Sequence, residues 1–321
     1  MTSEYLSCDI IEYGFDAQYD AINLCCRISG NNCNEPFHII PNYKGEKINW
    51  NDFFQKKQEI RNIHQNGEIF KPCNGCLYLR KEAWDNSNYI RTVNINNWIK
   101  CNADCIYCNR SSLKKHKEYK ILPIFKDIIK HDFLKAGGPI TISGGEPSII
   151  REFKPLLELF LKNNLNNIKV LTNAIKYDKT IEKGLKKGNV NILVSTDSGT
   201  RETFTKIKRT DKHNQVWKNI KKYAQYAKYS ELVKTKFIII PAINDNKEEI
   251  LEFIKQNLNS GIKYAEIDIE ISWFYTHKQN RTHFDEIYEL YQYAVEKAQE
   301  VGIFLEAKDR MVLFLQNIEN S

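Results

Sequence analysis

YIRTVNINNWIKCNADCIYC, residues 89–108, sets a strand-like alternation directly against three closely spaced cysteines. In Tyr89-Ile-Arg-Thr-Val-Asn-Ile95 apolar and polar side chains alternate, the period of a strand with two unlike faces. The cysteine loop therefore leaves the C-terminal end of a strand. Cys101, Cys105 and Cys108 form a CxxxCxxC run with the aromatic Tyr107 before its last member. Three thiolates make an incomplete cage: structural zinc takes four ligands, whereas a [4Fe–4S] cubane held by three cysteines leaves one iron open. A zinc knuckle borrowing a fourth ligand from elsewhere, or unliganded buried cysteines, are the alternatives.

Outward from this stretch, short β-rich runs alternate with amphipathic helical ones, the pattern of a parallel α/β fold. Pro139-Ile-Thr-Ile-Ser143 is a short strand that ends in Gly144-Gly145-Glu146-Pro147. Two glycines let backbone approach a ligand closely, and the adjoining carboxylate can accept hydrogen bonds from an ammonium. Helical stripes are expected over 122–134 and 149–165, with strands at 168–173 and 191–199. A long helical region is expected over about 201–229, then an apolar strand over 233–241. A helix over 246–259, a strand over 264–272 and a helix over 284–301 complete the reading. That last helix carries Phe284, Ile287, Leu290, Tyr291, Ala294 and Ala298 at helical spacing, a core stripe.

The 264–272 strand is unusual, because Glu266, Asp268, Glu270 and Ser272 share one face, opposite Ile267, Ile269, Ile271 and Trp273. Either these acids line the lumen of a closed barrel, or the strand is an edge with its acids in water.

The CxxxCxxC loop with Tyr107, followed by Gly144-Gly145-Glu146-Pro147, resembles the radical S-adenosylmethionine (SAM) superfamily, whose signature is CxxxCxΦC with an aromatic at Φ. The resemblance implies a partial (β/α)6 TIM-like barrel and a [4Fe–4S] cluster on Cys101, Cys105 and Cys108. It implies that SAM is chelated at the open iron and cleaved to methionine and a 5′-deoxyadenosyl radical, which abstracts hydrogen from a substrate. Gly144, Gly145 and Glu146 would hold the SAM amino group. Ser195 and Asp197 share a face in a stretch similar to the S-x-D-G ending of the peptide-modifying branch, although Gly199 arrives one place late. Ser195 would contact SAM; Asp197 would do so too, or would cap the following helix. Arg209 resembles an arginine that pairs the SAM carboxylate, or it is a surface residue. No catalytic acid or base is assigned.

Before Tyr89 lie Cys8, Cys25, Cys26, Cys33, Cys73 and Cys76. Their order, with a helix from Trp50 and the Cys73-Asn-Gly-Cys76 pair, resembles the auxiliary-cluster modules called SPASM or twitch domains, placed here before the barrel. The ligand set this implies is Cys8, Cys25, Cys73 and Cys76, with Cys26 as substitute for Cys25 and Cys33 spare. It would hold a second [4Fe–4S] cluster, with zinc as the alternative. The expected organisation is an α+β module over residues 1–85 and the barrel over 86–321.

The 321 residues carry 42% hydrophobic and 27% charged side chains, as a globular protein does, and contain no apolar run long enough to span a membrane. The N-terminus has no basic segment followed by an apolar one, so no signal peptide and a cytoplasmic address are expected. Nine cysteines, odd in number and clustered, fit metal binding in a reducing compartment better than disulfides. The net charge of +7 is spread over 47 basic and 40 acidic residues, which reads as solvated faces and makes nucleic acid an unfavoured partner. The resemblance further implies an oxygen-sensitive enzyme fed by a reductant such as flavodoxin or ferredoxin. Its substrate would be a peptide, or a sugar or nucleotide-sugar. A tRNA- or nucleotide-modifying enzyme and a non-catalytic metal-binding scaffold are the alternatives.

Overall fold

The computed structural model describes residues 4–25, 38–76, 78–85, 87–108, 118–270, 272, 274, 281–308 and 310–319, with the backbone alone for 281–284 and 317–319. Cys26, Cys33, Ile271 and Trp273 lie outside the described residues, and so does the side chain of Phe284. The chain divides into two compact units, Met1–Lys100 with Ser112–Lys169, and Cys101–Ser111 with Val170–Ser321.

The first unit contains β1 (Glu4–Ser7), α1 (Asp9–Tyr13), β2 (Gly14–Gln18), β3 (Ile22–Asn23), α2 (Trp50–Gln65), β4 (Arg80–Ala83), β5 (Thr92–Asn96), α3 (Leu122–Lys130), β6 (Ile140–Ile142) and α4 (Phe153–Lys162). Its sheet runs in the order β6-β5-β2-β3. The β5 strand is parallel to both β6 and β2, and β3 closes an antiparallel hairpin on β2. Separately, β1 pairs antiparallel with β4. The sheet's apolar face buries Phe15, Val93, Ile95, Ile140 and Ile142 against the helices. Phe15 contacts Phe53 of α2 and Phe125 of α3 at ring separations of 5.9 and 5.7 Å, and Phe125 meets Phe160 of α4 edge-on at 5.1 Å. Such aromatic pairs add about 0.5–1.5 kcal/mol each beyond the area they bury.

Polar groups are also buried in this unit. Glu12 and Arg61 are fully enclosed and paired at 2.7 Å. Lys57 is fully buried beside the rings of Tyr13 and Phe54, and burial pushes its ammonium down to about 7.

The second unit contains most of β7 (Ile168–Thr172), then α5 (Lys179–Lys187), β8 (Val190–Ser195), α6 (Arg201–Lys208), α7 (His213–Tyr226), β9 (Val233–Ile239), α8 (Lys247–Ser260), β10 (Tyr264–Ile269), α9 (Arg281–Glu300), β11 (Phe304–Ala307) and α10 (Arg310–Glu319). Its strands run in the order β7-β8-β9-β10-β11, and β8 through β11 are parallel. Helix ends carry their expected chemistry: Asp178, Thr200 and Asn246 accept N-cap hydrogen bonds, and Gly188 and Gly261 close α5 and α8 at positive φ. Strand–helix alternation with parallel pairing makes the fold α/β, with the strand–helix units of a partial TIM-like barrel.

Three expectations change. The helical region 201–229 is two helices, because Arg209 takes a left-handed conformation (φ 53°) that ends α6. A further strand, β11, follows α9 and flanks β10, so β10 is not an edge. Its acids are not in water either: Glu266, Asp268 and Glu270 are 3%, 0% and 8% exposed. Burial of the acids is affordable only with partners, and Asp268 has two, Lys236 Nζ at 2.8 Å and the Arg310 guanidinium.

Candidate active site

The CxxxCxxC loop is pinned to the end of α6. Asp104 N–H donates to the Lys208 carbonyl at 3.2 Å and Ile106 N–H to the Ile207 carbonyl at 3.0 Å, satisfying two carbonyls that a helix C-terminus leaves open. Cys101 is exposed, and Cys105 and Cys108 are half-buried. The Cys101 sulfur accepts from Ala103 N–H at 3.5 Å and from Asn173 Nδ2 at 3.7 Å. Burial pushes the Cys105 thiol up, Lys208 opposes that, and Asp197 and the neighbouring sulfurs of Cys101 and Cys108 add to it.

Tyr107 holds the loop from inside. Its hydroxyl donates to Asp197 Oδ2 at 2.5 Å and accepts from Lys208 Nζ at 2.9 Å, while Lys208 also pairs directly with Asp197. Asp197 does not cap α6, a role taken by the Thr200 hydroxyl, which accepts from Thr203 N–H. It stands instead at φ 56°, with its Oδ1 accepting from Ile238 N–H at 3.1 Å. Sequence reading missed Lys208; the signal available was a lysine ending a helix whose other polar residues face water.

Gly144 and Gly145 are required by close backbone approach. Gly144 has φ 116°, and a Cβ on Gly145 would lie 2.0 Å from the Lys100 carbonyl oxygen. Gly145 N–H donates to Trp98 O at 2.6 Å and Glu146 N–H to Lys100 O at 2.8 Å, the residue that directly precedes Cys101. Glu146 is buried, and its carboxylate accepts from Ser148 N–H and hydroxyl at 3.1 and 2.6 Å, capping the turn at Pro147–Ile149. Ser195 is half-buried at the end of β8. Arg209 pairs with Asp104 of the cysteine loop at 3.2 Å, both well exposed, an ion pair worth at most about 1 kcal/mol.

Residues 98–256, which contain the cysteine loop, the Gly-Gly-Glu-Pro turn, Asp197 and Lys208, match the Radical SAM superfamily. The chain carries a radical SAM domain. A GTP 3′,8-cyclase from Clostridium botulinum is 26% identical over 184 residues, 56% of this chain and 56% of its own length. A probable GTP 3′,8-cyclase from Methanocaldococcus jannaschii is 30% identical over 134 residues, 41% of this chain and 45% of its own length. The chain thus spans about half the length of the curated relatives it matches. Among solved structures, Streptococcus suis SuiB bound to the precursor peptide SuiA superposes with a TM-score of 0.56 at 13% identity, covering 86% of this chain and 60% of SuiB. That likeness is one of fold.

The thiol donors of the radical SAM domain fit an iron–sulfur cluster chemically: all three are free, one is exposed and two are half-buried, and the Cys101 sulfur accepts N–H···S hydrogen bonds. Among the described residues no three Cys, His, Asp or Glu side chains converge tightly enough to cage a single metal ion.

Polar side chains also line strands. In the first unit, Gln18 Nε2 donates to Asp16 Oδ2 at 2.8 Å, Asn94 Nδ2 to Asp16 Oδ1, Asn96 Nδ2 to Gln18 Oε1 at 3.2 Å, and the Ser143 hydroxyl to Asn96 Oδ1 at 3.3 Å. Asp16 is 1% exposed, and burial, only partly offset by its amide donors, pushes its carboxyl up to about 6. The folded protein therefore holds this proton at pH values where the unfolded chain has released it. Stability falls as pH rises from about 4 to about 6, by roughly 3 kcal/mol from this group. We expect Asp16→Asn to flatten that slope in urea denaturation at stepped pH; an unchanged slope would place the titration elsewhere.

The cysteines that precede the radical SAM domain gather in the first unit. Cys8, Cys25 and Cys73 are buried and Cys76 half-buried. Cys73 and Cys76 flank a tight turn closed by Cys76 N–H to Cys73 O at 3.0 Å. The Cys8 sulfur caps α1 by accepting from Ile11 N–H at 3.5 Å. Burial pushes the Cys8 thiol up to about 11, and the sulfurs of Cys25 and Cys76 are near enough to add to it. The β2–β3 hairpin separates Cys8 from Cys25. Among the described residues no helix is long and apolar enough to cross a membrane.

Proposed function

We propose that the chain is a radical SAM enzyme that cleaves SAM reductively at a [4Fe–4S] cluster on Cys101, Cys105 and Cys108 and abstracts hydrogen from a nucleotide or nucleotide-sugar. The cluster, when bound, would supply one electron to SAM and thereby a 5′-deoxyadenosyl radical. The observation that carries the reading is the cysteine loop itself: three reduced thiols fixed to the end of α6 and locked from inside by Tyr107, within residues matching the superfamily. The chain's own residues have positioning to do. Tyr107, Asp197 and Lys208 fix the loop; Gly144 and Gly145 give a ligand's amino group access to backbone carbonyls; Ser195 and Arg209 supply a hydroxyl and a cation toward SAM.

The substrate class rests on two supports. Asp16, Gln18, Asn94, Asn96 and Ser143 make a strand face of amides and oxygens, which suits a substrate dense in hydrogen-bonding groups. GTP 3′,8-cyclases, whose name gives a nucleotide as substrate, are among the relatives matched in sequence. Cys8, Cys25, Cys73 and Cys76 would hold an auxiliary [4Fe–4S] cluster in a module spanning residues 1–85, and an external flavodoxin- or ferredoxin-type protein would deliver the electron.

The test is anaerobic reconstitution followed by incubation with SAM, dithionite and a panel of nucleotides and nucleotide-sugars. We expect 5′-deoxyadenosine to form together with loss of one nucleotide. Formation of 5′-deoxyadenosine with every nucleotide intact would reject the substrate class. An assembled cluster that yields none would reject the enzyme.

A further inference from the structure

The chain's positive charge is concentrated on one stretch of the second unit. Over residues 176–228, fourteen Lys and Arg stand against five Asp and Glu, a larger excess than the +7 of the whole chain. Most of it lies on two neighbouring helices. Residues 176–187, which lead into and form α5, hold five lysines and two acids; residues 213–228, which form and follow α7, hold four lysines and no acid. All nine lysines are exposed. The two acids are already engaged. The Asp178 carboxylate accepts from Thr180 and Ile181 N–H as the α5 N-cap, and Glu182 pairs with Lys186 Nζ at 2.6 Å and accepts from the Tyr177 hydroxyl at 2.7 Å.

The two helices present one surface. Tyr177 stacks on Tyr223 of α7 at 4.5 Å, Asp178 N–H donates to the Tyr223 hydroxyl at 2.7 Å, and Lys228 N–H donates to Leu185 O at 3.1 Å. Lys222 Nζ lies 4.0 Å from the centre of the Tyr177 ring and Lys186 Nζ 4.0 Å from that of Tyr226, so an ammonium from each helix rests on an aromatic face at the seam. One end of this surface adjoins the cysteine loop. Asn173, just after β7, donates from Nδ2 to the Cys101 sulfur at 3.7 Å and to Asn102 Oδ1 at 2.7 Å. Its Oδ1 accepts from Ile175 N–H at 3.0 Å, and Asn219 of α7 donates to the carbonyls of Ala174 and Ile175 at 2.8 and 3.2 Å. The turn over 173–177 thus joins the first lysines of the patch to Cys101, the exposed thiol of the three.

We propose that the exposed face of α5 and α7 is the docking surface for the acidic one-electron carrier protein that reduces the cluster. Opposite charge on two patches speeds and orients their encounter. Electron-transfer partners form small, short-lived interfaces, for which a lysine-rich face serves better than an apolar one. The same lysines would also attract nucleic acid, and position decides between the two: the patch runs up to the exposed thiol, where an electron has to enter. In that step the carrier loses one electron and the cluster on Cys101, Cys105 and Cys108 gains it, with no proton or covalent bond exchanged. This inference rests on the radical SAM reading.

The test uses the full chain and an acidic flavodoxin. Binding of fluorescently labelled flavodoxin is measured by anisotropy for the parent, for the patch variant Lys179→Glu/Lys183→Glu/Lys218→Glu, and for a control of equal charge change on α3 and α4, Lys126→Glu/Lys130→Glu/Lys154→Glu. The patch variant should bind about tenfold or more weakly and the control close to the parent, with the difference vanishing at high salt. All six lysines are exposed, so circular dichroism should be unchanged. After cluster reconstitution, 5′-deoxyadenosine formation driven by reduced flavodoxin should fall in parallel in the patch variant. The rate with dithionite, which needs no docking, should stay at the parent value. Equal losses in the two variants, or native binding and a native flavodoxin-driven rate in the patch variant, overturn the proposal. So does an RNA or DNA oligonucleotide that the parent binds and the patch variant releases while flavodoxin binding is unaffected. A cluster-loaded parent that forms no 5′-deoxyadenosine with dithionite overturns the radical SAM reading and this inference together, whereas dithionite turnover with a flavodoxin indifferent to the patch charges overturns this inference alone.

Discussion

Cys105→Ala is expected to abolish 5′-deoxyadenosine formation, with a loss of at least about a thousandfold, while leaving the fold intact. The cubane needs three protein thiolates to leave one iron open, and with two it loses its anchor instead of gaining a site. The substitution itself removes little packing. Cys105 is half-buried, and although its sulfur interacts with the Tyr107 side chain, the loop keeps the main-chain hydrogen bonds from Asp104 and Ile106 and those of the Tyr107 hydroxyl with Asp197 and Lys208. Circular dichroism and urea unfolding should therefore match the parent, and iron should drop by one cluster. Any auxiliary cluster on Cys8, Cys25, Cys73 and Cys76 would survive, so iron falling by about four per chain, with about four remaining, separates the two sites. Residual SAM cleavage near the parent rate would remove Cys105 from the ligand set.

Arg61→Met should be the most destabilising single change in the first unit, by about 3–5 kcal/mol, because it strands a buried carboxylate. Glu12 and Arg61 are both 0% exposed. Glu12 accepts from Arg61 Nε at 2.7 Å, the Ser7 hydroxyl at 2.6 Å and the Tyr5 hydroxyl at 3.1 Å. Arg61 also donates to the carbonyls of Glu12 and Ser87 at 2.8 and 3.0 Å. Met fills similar space but supplies no donor. Adding Glu12→Leu should recover a large part of the loss, since a buried pair replaced whole is often close to neutral. Urea unfolding of the two singles and the double gives the coupling directly. A cost below about 1 kcal/mol for Arg61→Met would mean that water reaches Glu12.

The parallel α/β pattern after Tyr89 was legible because its strands and helices carry their own periodicity and caps, as in β8 and in α5 with Asp178 and Gly188. The CxxxCxxC spacing was legible too, and it lies within the residues that match the Radical SAM superfamily. What sequence could not supply was which polar residue meets which. Lys208 lies 11 residues from Asp197 and 101 from Tyr107, and only the fold brings the three together. Strand β11 was hidden because Phe304-Leu-Glu-Ala307, at four residues, is too short to show an alternation. The acids of β10 were visible, but their burial depended on Lys236 from a neighbouring strand and Arg310 from a distant helix. Arg209 broke a helix without glycine or proline, so local propensity gave no warning.

The pairing of β2 with β5 imposes an order of assembly. These strands are parallel and their partners stand 78 residues apart in the chain, so closing them costs loop entropy before any contact is gained. Cys8 and Cys25 flank β2 and its hairpin, whereas Cys73 and Cys76 belong to the intervening loop. During synthesis the first two thiols therefore emerge well before either their companions or the strand that fixes their position, and they spend that interval open to oxidation. Any cluster held by these four thiols, as proposed, would load only after β5 has reached the sheet.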